Sequence, residues 1–507
     1  MTDPRRVTHE AAHGAPDASS MAVTPHVVVV GAGIAGLAAA TGLAERGVTV
    51  DLVERETYLG GRVGGWADSL PDGTPLAMNR GFHAFFRQYY NLRSLLRRID
   101  PALKMLTPVR DYPLIDAHGR RDTFRGLPQT PPFNALAFAL RSPTFGFRDL
   151  IRLNARAAAP LADVSVPRTY HQLDHLDAES LLRKINFPEA ARHLAFEVFS
   201  RSFFAEPVDL SAAELATMFH IYFLGSSEGL VFDVARENFD VALWNPLCDY
   251  LASRGVRVHL GEPVTAVRAG ARFSVQCGSG DTYDADGVVL ATDVSGLKQI
   301  VADSPSLGNP EWRQRVSHLR TAAPFVVQRL WLDRAVETGR AAFLGTGGRP
   351  PLDNISVLNR YERQAAAWSR HTGGSVVELH SYAVASGDGL RDRLLARLHE
   401  TYPETARARV VGERLLCRND CPRFAPGDFA QRPSVVTPHE NLMLAGDGVR
   451  IDLPVALMER AATTGWAAAN GLLHRFGIRG HDVQTVPVRG RSAVLRRLAR
   501  SERRVRR

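Results

Sequence analysis

One segment near the N-terminus limits the possible folds of this chain more than any other. Residues 27–30 are four consecutive valines, which is typical of a parallel strand buried on both faces. The sequence Gly-Ala-Gly-Ile-Ala-Gly follows at residues 31–36, and the Ala-rich residues 37–46 indicate a helix. Residues 48–53 form a second apolar run that leads to Glu54. This order predicts a strand, a glycine-rich turn, a helix and a second strand, which is the arrangement that binds dinucleotides.

The three glycines and the acidic residue have separate expected roles. Gly31 permits the tight turn, Gly33 lets the backbone approach a pyrophosphate, and Gly36 lets the helix pack closely on the strands. Glu54 follows Gly36 by 18 residues and is placed to accept hydrogen bonds from a ribose 2′-OH. The segment therefore predicts an α/β fold that holds a dinucleotide.

Two further motifs indicate which dinucleotide is bound. Residues 60–62 are Gly-Gly-Arg, in which the glycines let the chain pass close to the cofactor and the arginine offers a rigid fork of donors to phosphate or flavin oxygens. Residues 441–447 are typical of a strand that ends in Gly-Asp and precedes a helix. Together with residues 28–62, this second motif resembles the FAD-binding signature of the amine oxidase and carotenoid desaturase superfamily.

The resemblance implies FAD as the cofactor and a particular α/β architecture. In that superfamily, which shares its fold with the GDP-dissociation inhibitors, a Rossmann-like FAD-binding domain is interleaved with a mixed α+β substrate domain. The acid of the second motif binds the ribityl chain, and the following helix points its N-terminus at the pyrophosphate. The cofactor-binding residues implied here are Gly31, Gly33, Ile34, Ala35, Gly36, Glu54, Arg55, Gly60, Gly61, Arg62, Val264, Gly446, Asp447 and Met458.

The same resemblance divides the chain into interleaved segments. The FAD-binding domain is expected to combine residues 24–100, 250–300 and 435–475, and residues 256–267 and 287–292 are expected to return to the first sheet. The substrate domain is expected to combine residues 101–249 and 301–434. Residues 1–23 are expected to form a disordered leader and residues 476–507 a basic tail.

A stretch outside the flavin motifs points to the substrate. Residues 81–92, Gly-Phe-His-Ala-Phe-Phe-Arg-Gln-Tyr-Tyr-Asn-Leu, resemble a stretch of the plant-type phytoene and ζ-carotene desaturases. The longer stretch, residues 78–101, is similar to bacterial carotene desaturase/methyltransferases of the isorenieratene type. Those enzymes convert the β-ionone ring of β-carotene into an aromatic ring, with methyl migration within the substrate. The resemblance covers residues 24–475 and implies an FAD-dependent oxidoreductase whose partner is a long apolar carotene.

Two alternatives to this function stay open. The chain could be another FAD-dependent carotenoid desaturase or isomerase, of the phytoene or ζ-carotene type. It could also be a non-catalytic lipid-binding protein similar to the GDP-dissociation inhibitors. Amine oxidation is disfavoured, since amine oxidases place an aromatic residue directly before the Met-Glu of the second motif. This chain has Leu457 there, which offers a cationic amine no cation–π contact.

His83 is the candidate catalytic residue, as a proton acceptor. It lies within the desaturase-like stretch, and histidine exchanges protons near neutral pH. The alternative is a structural histidine bonded to the backbone near the flavin. Phenylalanines are dense in residues 124–147 and 196–232, which is typical of an apolar tunnel, of a loop that dips into lipid, or of an ordinary aromatic core.

The net charge of +9 lies almost entirely at the C-terminus. Residues 489–507 carry a net charge of +8, so the body lacks the basic surface that nucleic acid would need. Val494, Leu495 and Leu498 could form the apolar face of an interfacial helix on an anionic membrane, or belong to a solvated tail. Four cysteines in a chain of this length are typical of free thiols in a reducing cytoplasm, and no apolar run is long enough to span a bilayer. The expected location is therefore cytoplasmic and peripheral on the membrane. The cysteines also lack the spacing of a metal site. The sequence carries no signature of a particular electron acceptor.

Overall fold

A parallel sheet lies at the centre of the computed structural model, which describes residues 3–490 except 4, 71, 110, 193–200 and 385–388. Its three inner strands are almost fully buried, as their β-branched runs favour. In spatial order the strands are Arg257–Leu260, Thr49–Glu54, His26–Val30, Gly287–Leu290 and Leu442–Leu444. All five run parallel, so their carboxyl ends meet at one edge, where ligands of such sheets bind.

Two helices pack against each other and connect distant parts of the chain. They are Ile34–Ala44, which is buried on every side, and Leu457–Arg475. A Cβ atom added to Gly465 would lie 2.2 Å from the carbonyl oxygen of Ala35, so only a glycine permits this approach. The helix that follows the first glycine motif is therefore held directly by the helix that follows the second motif.

The middle segment of the chain contributes to two sheets. Arg257–Leu260 and Gly287–Leu290 join the central sheet as expected. The expectation that residues 256–267 return to that sheet as a whole is wrong for residues 264–267. Those residues belong to a separate antiparallel sheet, Val264–Arg268, Phe273–Cys277 and Thr282–Ala285, because the three consecutive strands satisfy one another's hydrogen bonds.

A seven-stranded mixed sheet forms the core of the other half. Its strands in spatial order are Val410–Arg418, Phe325–Leu332, Ser375–Ser381, Asn354–Val357, Phe343–Gly345, Leu114–Ile115 and Arg121–Asp122. Phe325–Leu332 and Ser375–Ser381 are buried along their whole length, on both faces. Side chains on these two strands therefore project into the interior, including the interior that faces the central sheet.

Smaller elements complete the structure. Two further sheets are Phe85–Phe86 with Phe232–Ala235 and Leu106–Pro108, and Gly65–Ser69 with Pro75–Asn79. The other described α-helices are Tyr90–Leu96, Phe133–Arg141, Phe147–Arg152, Ala155–Ala162, Arg168–Leu173, Ala178–Ile185, Ala212–Phe219, Asn245–Ser253, Val294–Ala302, Pro310–His318, Arg363–Thr372, Leu390–Thr401 and Asp428–Gln431.

The described parts of both chain ends are ordered against the body, which corrects two expectations. The disordered leader expected over residues 1–23 is wrong for Val7–His9, which form a strand antiparallel to Val483–Thr485. The basic tail expected from residue 476 is likewise wrong up to residue 490. Its Gln484 amide donates a hydrogen bond of 2.8 Å to Oδ1 of Asn91. Backbone pairing between the two ends holds both segments without any apolar run.

Two features of the chain bear on a membrane: the length of its helices and the apolar residues near its C-terminus. Within the described residues, none of the helices combines the length and the apolar character needed to cross a bilayer. The predicted interfacial helix at Val494, Leu495 and Leu498 lies outside the described residues, as do Phe196 and Phe199 of the second aromatic segment.

Candidate active site

The first glycine motif forms a turn at the carboxyl edge of the central sheet. Gly31 has a φ of +99°, which side chains rarely adopt, and a Cβ at Gly36 would lie 1.8 Å from the carbonyl oxygen of Gly31. Gly33 differs from both, because a Cβ built there would meet no described atom within 4 Å beyond its chain neighbours. Two glycines are thus required by the protein itself, and the third leaves a space open for a ligand.

Glu54 fixes the turn to the end of the second strand. One carboxylate oxygen accepts a hydrogen bond from the Ala32 amide at 2.6 Å, and the other accepts one from the Glu56 amide at 2.9 Å. Burial raises the pKa of Glu54, although these two amides oppose the shift. The carboxylate borders the open space beside Gly33, and its contact with a ribose stays a prediction.

An ion pair joins the two flavin motifs. Arg62 donates a hydrogen bond to the carboxylate of Asp447, across 385 positions of sequence. Both residues are mostly buried, so the charges lie in a partly desolvated site where such a bond is strong. Near the same turn, Arg55 donates to Asp293 at 2.6 Å from a more exposed position. The pair of Arg62 and Asp447 therefore closes one wall of the site.

A single cavity of about 720 Å³ connects these motifs to the seven-stranded sheet. All the predicted cofactor residues line it except Gly36, which lies beneath the turn, and His83 lines it as well. The space beside Gly33, the arginine fork of Arg62 and the carboxylate of Asp447 suit a pyrophosphate and a ribityl chain. The residues present therefore fit FAD.

The half of the cavity that faces the second sheet has aromatic walls. Phe82 packs against Phe343 with 4.4 Å between ring centroids, and Phe232 packs against Tyr112 at 4.7 Å. Other aromatic residues that line it are Phe86, Tyr89, Phe204, Phe325 and Tyr382. Such a chamber suits a large apolar molecule. In the described part of the chain, no group of three or more His, Cys, Asp or Glu side chains is arranged to hold a metal ion.

Comparison with known proteins agrees with this geometry. The sequence profile of the flavin containing amine oxidoreductases matches residues 34–473, which is most of the chain. The chain belongs to that family. Members of this family contain flavin. The family match, together with the carotenoid relatives described next, identifies the chain as an FAD-dependent oxidoreductase.

Individual relatives give a more specific comparison than the family profile does. A carotenoid phi-ring synthase of Streptomyces griseus is 57% identical over 479 residues, which cover 94% of this chain and 93% of that protein. A zeta-carotene desaturase of a Synechocystis species is 25% identical, covering 88% and 97%. Among solved structures, putrescine oxidase bound to putrescine has a TM-score of 0.65 at 17% identity, covering 89% of this chain and 100% of that one. This structural likeness supports the expected Rossmann-like fold.

His83 lines the cavity, and one of its ring nitrogens makes a hydrogen bond to the backbone. Its Nδ1–H donates a hydrogen bond of 2.8 Å to the carbonyl oxygen of Gly81, which leaves Nε2 as an acceptor. Burial lowers the pKa of His83 to about 4, so the ring is neutral near pH 7. This arrangement fits both expectations, the proton acceptor and the structural histidine.

Three polar residues in the cavity region were not predicted from the sequence. Glu378 and His380 lie on the buried strand Ser375–Ser381, and Tyr382 follows it directly. Their spacing of two residues places all three on one face of the strand. That alternation of acid, histidine and tyrosine is a signal the sequence contains, but its meaning depends on knowing that this face borders the flavin cavity.

Proposed function

We propose that this protein converts the β-ionone ring of β-carotene into an aromatic ring, with migration of a methyl group within the substrate. The observation that carries the proposal is the 57% identity to a carotenoid phi-ring synthase over nearly the full length of both proteins. A zeta-carotene desaturase reaches only 25%. Desaturation of a linear carotene is therefore the second candidate.

The cavity supports a hydrocarbon substrate. Its aromatic walls, including Phe82, Phe232 and Phe343, lie in the same cavity as the predicted flavin residues. Leu457 lines the cavity directly before Met458, where an aliphatic side chain contacts an apolar ring and gives a cation no partner. These contacts would orient the ring and exclude water from the reacting carbons.

The reaction needs an oxidant and a proton acceptor. Bound FAD supplies the hydride acceptor, and the conjugated polyene delocalises the cation that remains. A cation beside the gem-dimethyl carbon favours a 1,2-methyl shift, after which loss of further hydrogen gives the arene. His83 remains a candidate acceptor for the protons through Nε2, since its hydrogen bond to Gly81 uses only Nδ1.

Product analysis tests the proposal. The chain is expressed in a bacterial host that makes β-carotene, and the pigments are separated by chromatography and identified by mass and absorption. Aromatic end groups are expected, and they should be absent with Asp447→Asn. Parallel hosts that make phytoene or ζ-carotene test the second candidate. Unchanged β-carotene beside a flavin-loaded protein, with conversion of a linear carotene, would replace the first candidate with the second.

We further propose that the protein works on an anionic membrane surface. On the helix Phe133–Arg141, three apolar side chains share one face and are more than half exposed: Phe133, Leu136 and Leu140. Arg141, at the end of the same helix, is exposed, as is Arg152 on the following helix Phe147–Arg152. Exposed apolar side chains together with arginines match the interface of an anionic bilayer.

The same helix connects the proposed membrane face to the cavity. Phe138, on its buried side, stacks on Phe124 at 4.8 Å between centroids, and Phe124 stacks on Tyr112 at 4.5 Å. Tyr112 lines the cavity. This row of rings would give an apolar substrate a continuous surface between the bilayer and the flavin site.

Vesicle sedimentation tests the membrane proposal. Burying three half-exposed apolar side chains in lipid is worth about 3 kcal/mol, so replacing Phe133, Leu136 and Leu140 with serine should weaken vesicle binding roughly 100-fold. Binding is measured with phosphatidylcholine vesicles with and without phosphatidylglycerol, and FAD content shows that the variant is folded. A chain truncated after residue 490 tests the basic tail separately. If neither change weakens binding, or if the wild type binds no vesicles, the proposal is wrong.

A further inference from the structure

A chain of hydrogen bonds runs from a buried ion pair to the wall of the cavity. Nη2 of Arg329 lies 2.6 Å from Oε2 of Glu378, and Oε1 of Glu378 lies 2.7 Å from Nε2 of His380. Nδ1 of His380 lies 2.8 Å from the hydroxyl of Tyr382. The amide of Asn354 donates to the same hydroxyl at 2.9 Å. Of these residues, His380, Tyr382 and Asn354 line the cavity.

The direction of each hydrogen bond follows from the charges. Burial alone would raise the pKa of Glu378, but Arg329 and His380 outweigh it and hold the pKa at about 2. Glu378 is therefore a carboxylate and can only accept, so its 2.7 Å contact puts a proton on Nε2 of His380 in preference to the longer contact of 3.3 Å from the Phe82 amide. With Nε2 protonated, Nδ1 is the atom through which the imidazole can act as a base and accept a hydrogen bond. Tyr382 must then donate its hydroxyl hydrogen to Nδ1. Its oxygen keeps a lone pair to receive another proton.

These groups have no evident use in holding a hydrocarbon. A carotene ring offers no hydrogen-bond donor or acceptor, and a fully buried ion pair such as Arg329 with Glu378 does not favour folding by itself. The histidine is oriented by a carboxylate on one side and by a hydroxyl on the other. That arrangement is the one by which enzymes position a base for proton transfer.

We propose that Tyr382, His380 and Glu378 form the relay that removes the proton from the substrate, an inference that rests on the function proposed above. Bound FAD would accept a hydride from the substrate and leave a cationic carbon; a C–H bond beside that carbon then breaks, and its electron pair becomes the new C=C bond. The proton passes to the oxygen of Tyr382, and the hydroxyl hydrogen of Tyr382 passes to Nδ1 of His380. The resulting imidazolium is stabilised by Glu378. Tyr382 is the catalytic residue, and His380 and Glu378 act through it.

Two other groups in the cavity are less suited to this role. The low pKa of His83, about 4, makes it a weak base. Asp353 already accepts a hydrogen bond of 2.6 Å from the Tyr382 amide and lies 3.3 Å from Arg201. Burial raises the pKa of Asp353 to about 6, against the opposing effects of Arg201 and the Tyr382 amide. Its two contacts engage both carboxylate oxygens and hold them in place beside Tyr382. The relay, in contrast, ends in Tyr382, a residue that lines the cavity.

Tyr382→Phe is the principal test. The variant keeps the ring that packs edge-on against Phe204 at 5.2 Å and removes only the hydroxyl. With FAD content unchanged, formation of the oxidised carotene should fall roughly 100-fold, the usual contribution of a positioned base. Conversion by the wild type should also slow in D₂O, because the relay hydrogen exchanges with solvent, and Tyr382→Phe should abolish that effect. Tyr112→Phe, which removes the hydroxyl of another tyrosine that lines the cavity, should keep the solvent effect. Loss of the solvent effect in His83→Asn, with the effect retained in Tyr382→Phe, would assign the proton to His83 and overturn the relay.

A second measurement does not depend on turnover. In protein labelled with ¹⁵N at histidine, the Nδ1 resonance of His380 should shift in Tyr382→Phe, while that of His83 should not. His380→Gln assigns the resonance. An unchanged resonance, or a Tyr382→Phe enzyme with wild-type rate and D₂O effect, would overturn the relay. If the wild type aromatises no ring but oxidises another carotene, the proposed function fails, and the same comparison with that carotene still decides the relay.

Discussion

The substitution Gly33→Ala is expected to separate folding from cofactor binding. Gly33 has φ −72° and ψ 179°, an extended conformation that alanine adopts without strain, and its added Cβ would meet no described atom within 4 Å beyond the chain neighbours. Replacing such a glycine reduces the entropy of the unfolded chain and stabilises a protein by about 0.4–1 kcal/mol. The apo form of the variant should therefore unfold at the same or a slightly higher urea concentration than the apo wild type.

The effect on FAD should be opposite in sign. The pyrophosphate is expected to approach the backbone at Gly33 closely enough for an N–H···O bond of about 2.9 Å, and a methyl group there would hold it away. Loss of one hydrogen bond to a charged group is worth about 1.5–3 kcal/mol, which weakens binding roughly 10- to 100-fold. Titration of apo protein with FAD, followed by the quenching of flavin fluorescence, measures this change directly.

Gly36→Ala is the matched control, because it adds the same methyl group three positions away. There the Cβ would overlap the carbonyl oxygen of Gly31 at 1.8 Å, so the apo protein itself should lose stability by several kcal/mol or fail to fold. Equal FAD affinity in Gly33→Ala and the wild type would refute the reasoning. So would a large loss of stability in apo Gly33→Ala, since the open space would then not belong to the ligand.

Other predictions concern carboxylates. Asp447→Asn removes the charge that pairs with Arg62, and Glu54→Gln removes a charged acceptor for the Ala32 amide. Each substitution should reduce the yellow colour and the turnover of the purified protein. Full colour and turnover in both variants would contradict the assigned cofactor site. Burial raises the pKa of Glu459 to about 8 from an ordinary value of 4.5. A raised pKa in the folded state stabilises the protein below about pH 4.5, and this contribution is lost as the pH rises through about 8. Glu459→Gln should therefore flatten the decline of the unfolding free energy of apo protein between pH 5 and 8, and an unchanged slope would contradict the shift.

The sequence was most informative where structure is local. The strand, glycine turn and helix around residues 27–46 follow from valines, three glycines and an Ala-rich run, and the structure places His26–Val30 and Ile34–Ala44 within a few residues of the expectation. The α/β fold, the FAD cofactor and the oxidoreductase class are confirmed by the family match and the relatives. The predicted individual site residues stay predictions, although the cavity brings nearly all of them together.

The sequence was least informative where pairing is distant. Val7–His9 have no apolar pattern and are held by backbone bonds to Val483–Thr485, which no local signal reveals. Glu378 and His380 were missed for a similar reason, since an alternating pattern on a strand is usually a solvated face. Here Arg329, on the neighbouring strand, neutralises the acid inside the protein. Only the pairing of the two strands turns that pattern into a buried network.

The side chain at Leu457 is one that distinguishes this chain from amine oxidases with the same kind of cofactor site. Its φ is +53°, a left-handed conformation that costs a residue with a side chain roughly 1–2 kcal/mol and that glycine would adopt freely. This backbone cost is set against the packing of the Leu457 side chain on the hydrophobic core and along the cavity that it lines. The aromatic residue expected there in an amine oxidase would attract a cation, whereas leucine offers only apolar contact. In the shared fold of the family, the proposed hydrocarbon would therefore meet an aliphatic side chain at this position, where a cationic amine would need an aromatic ring.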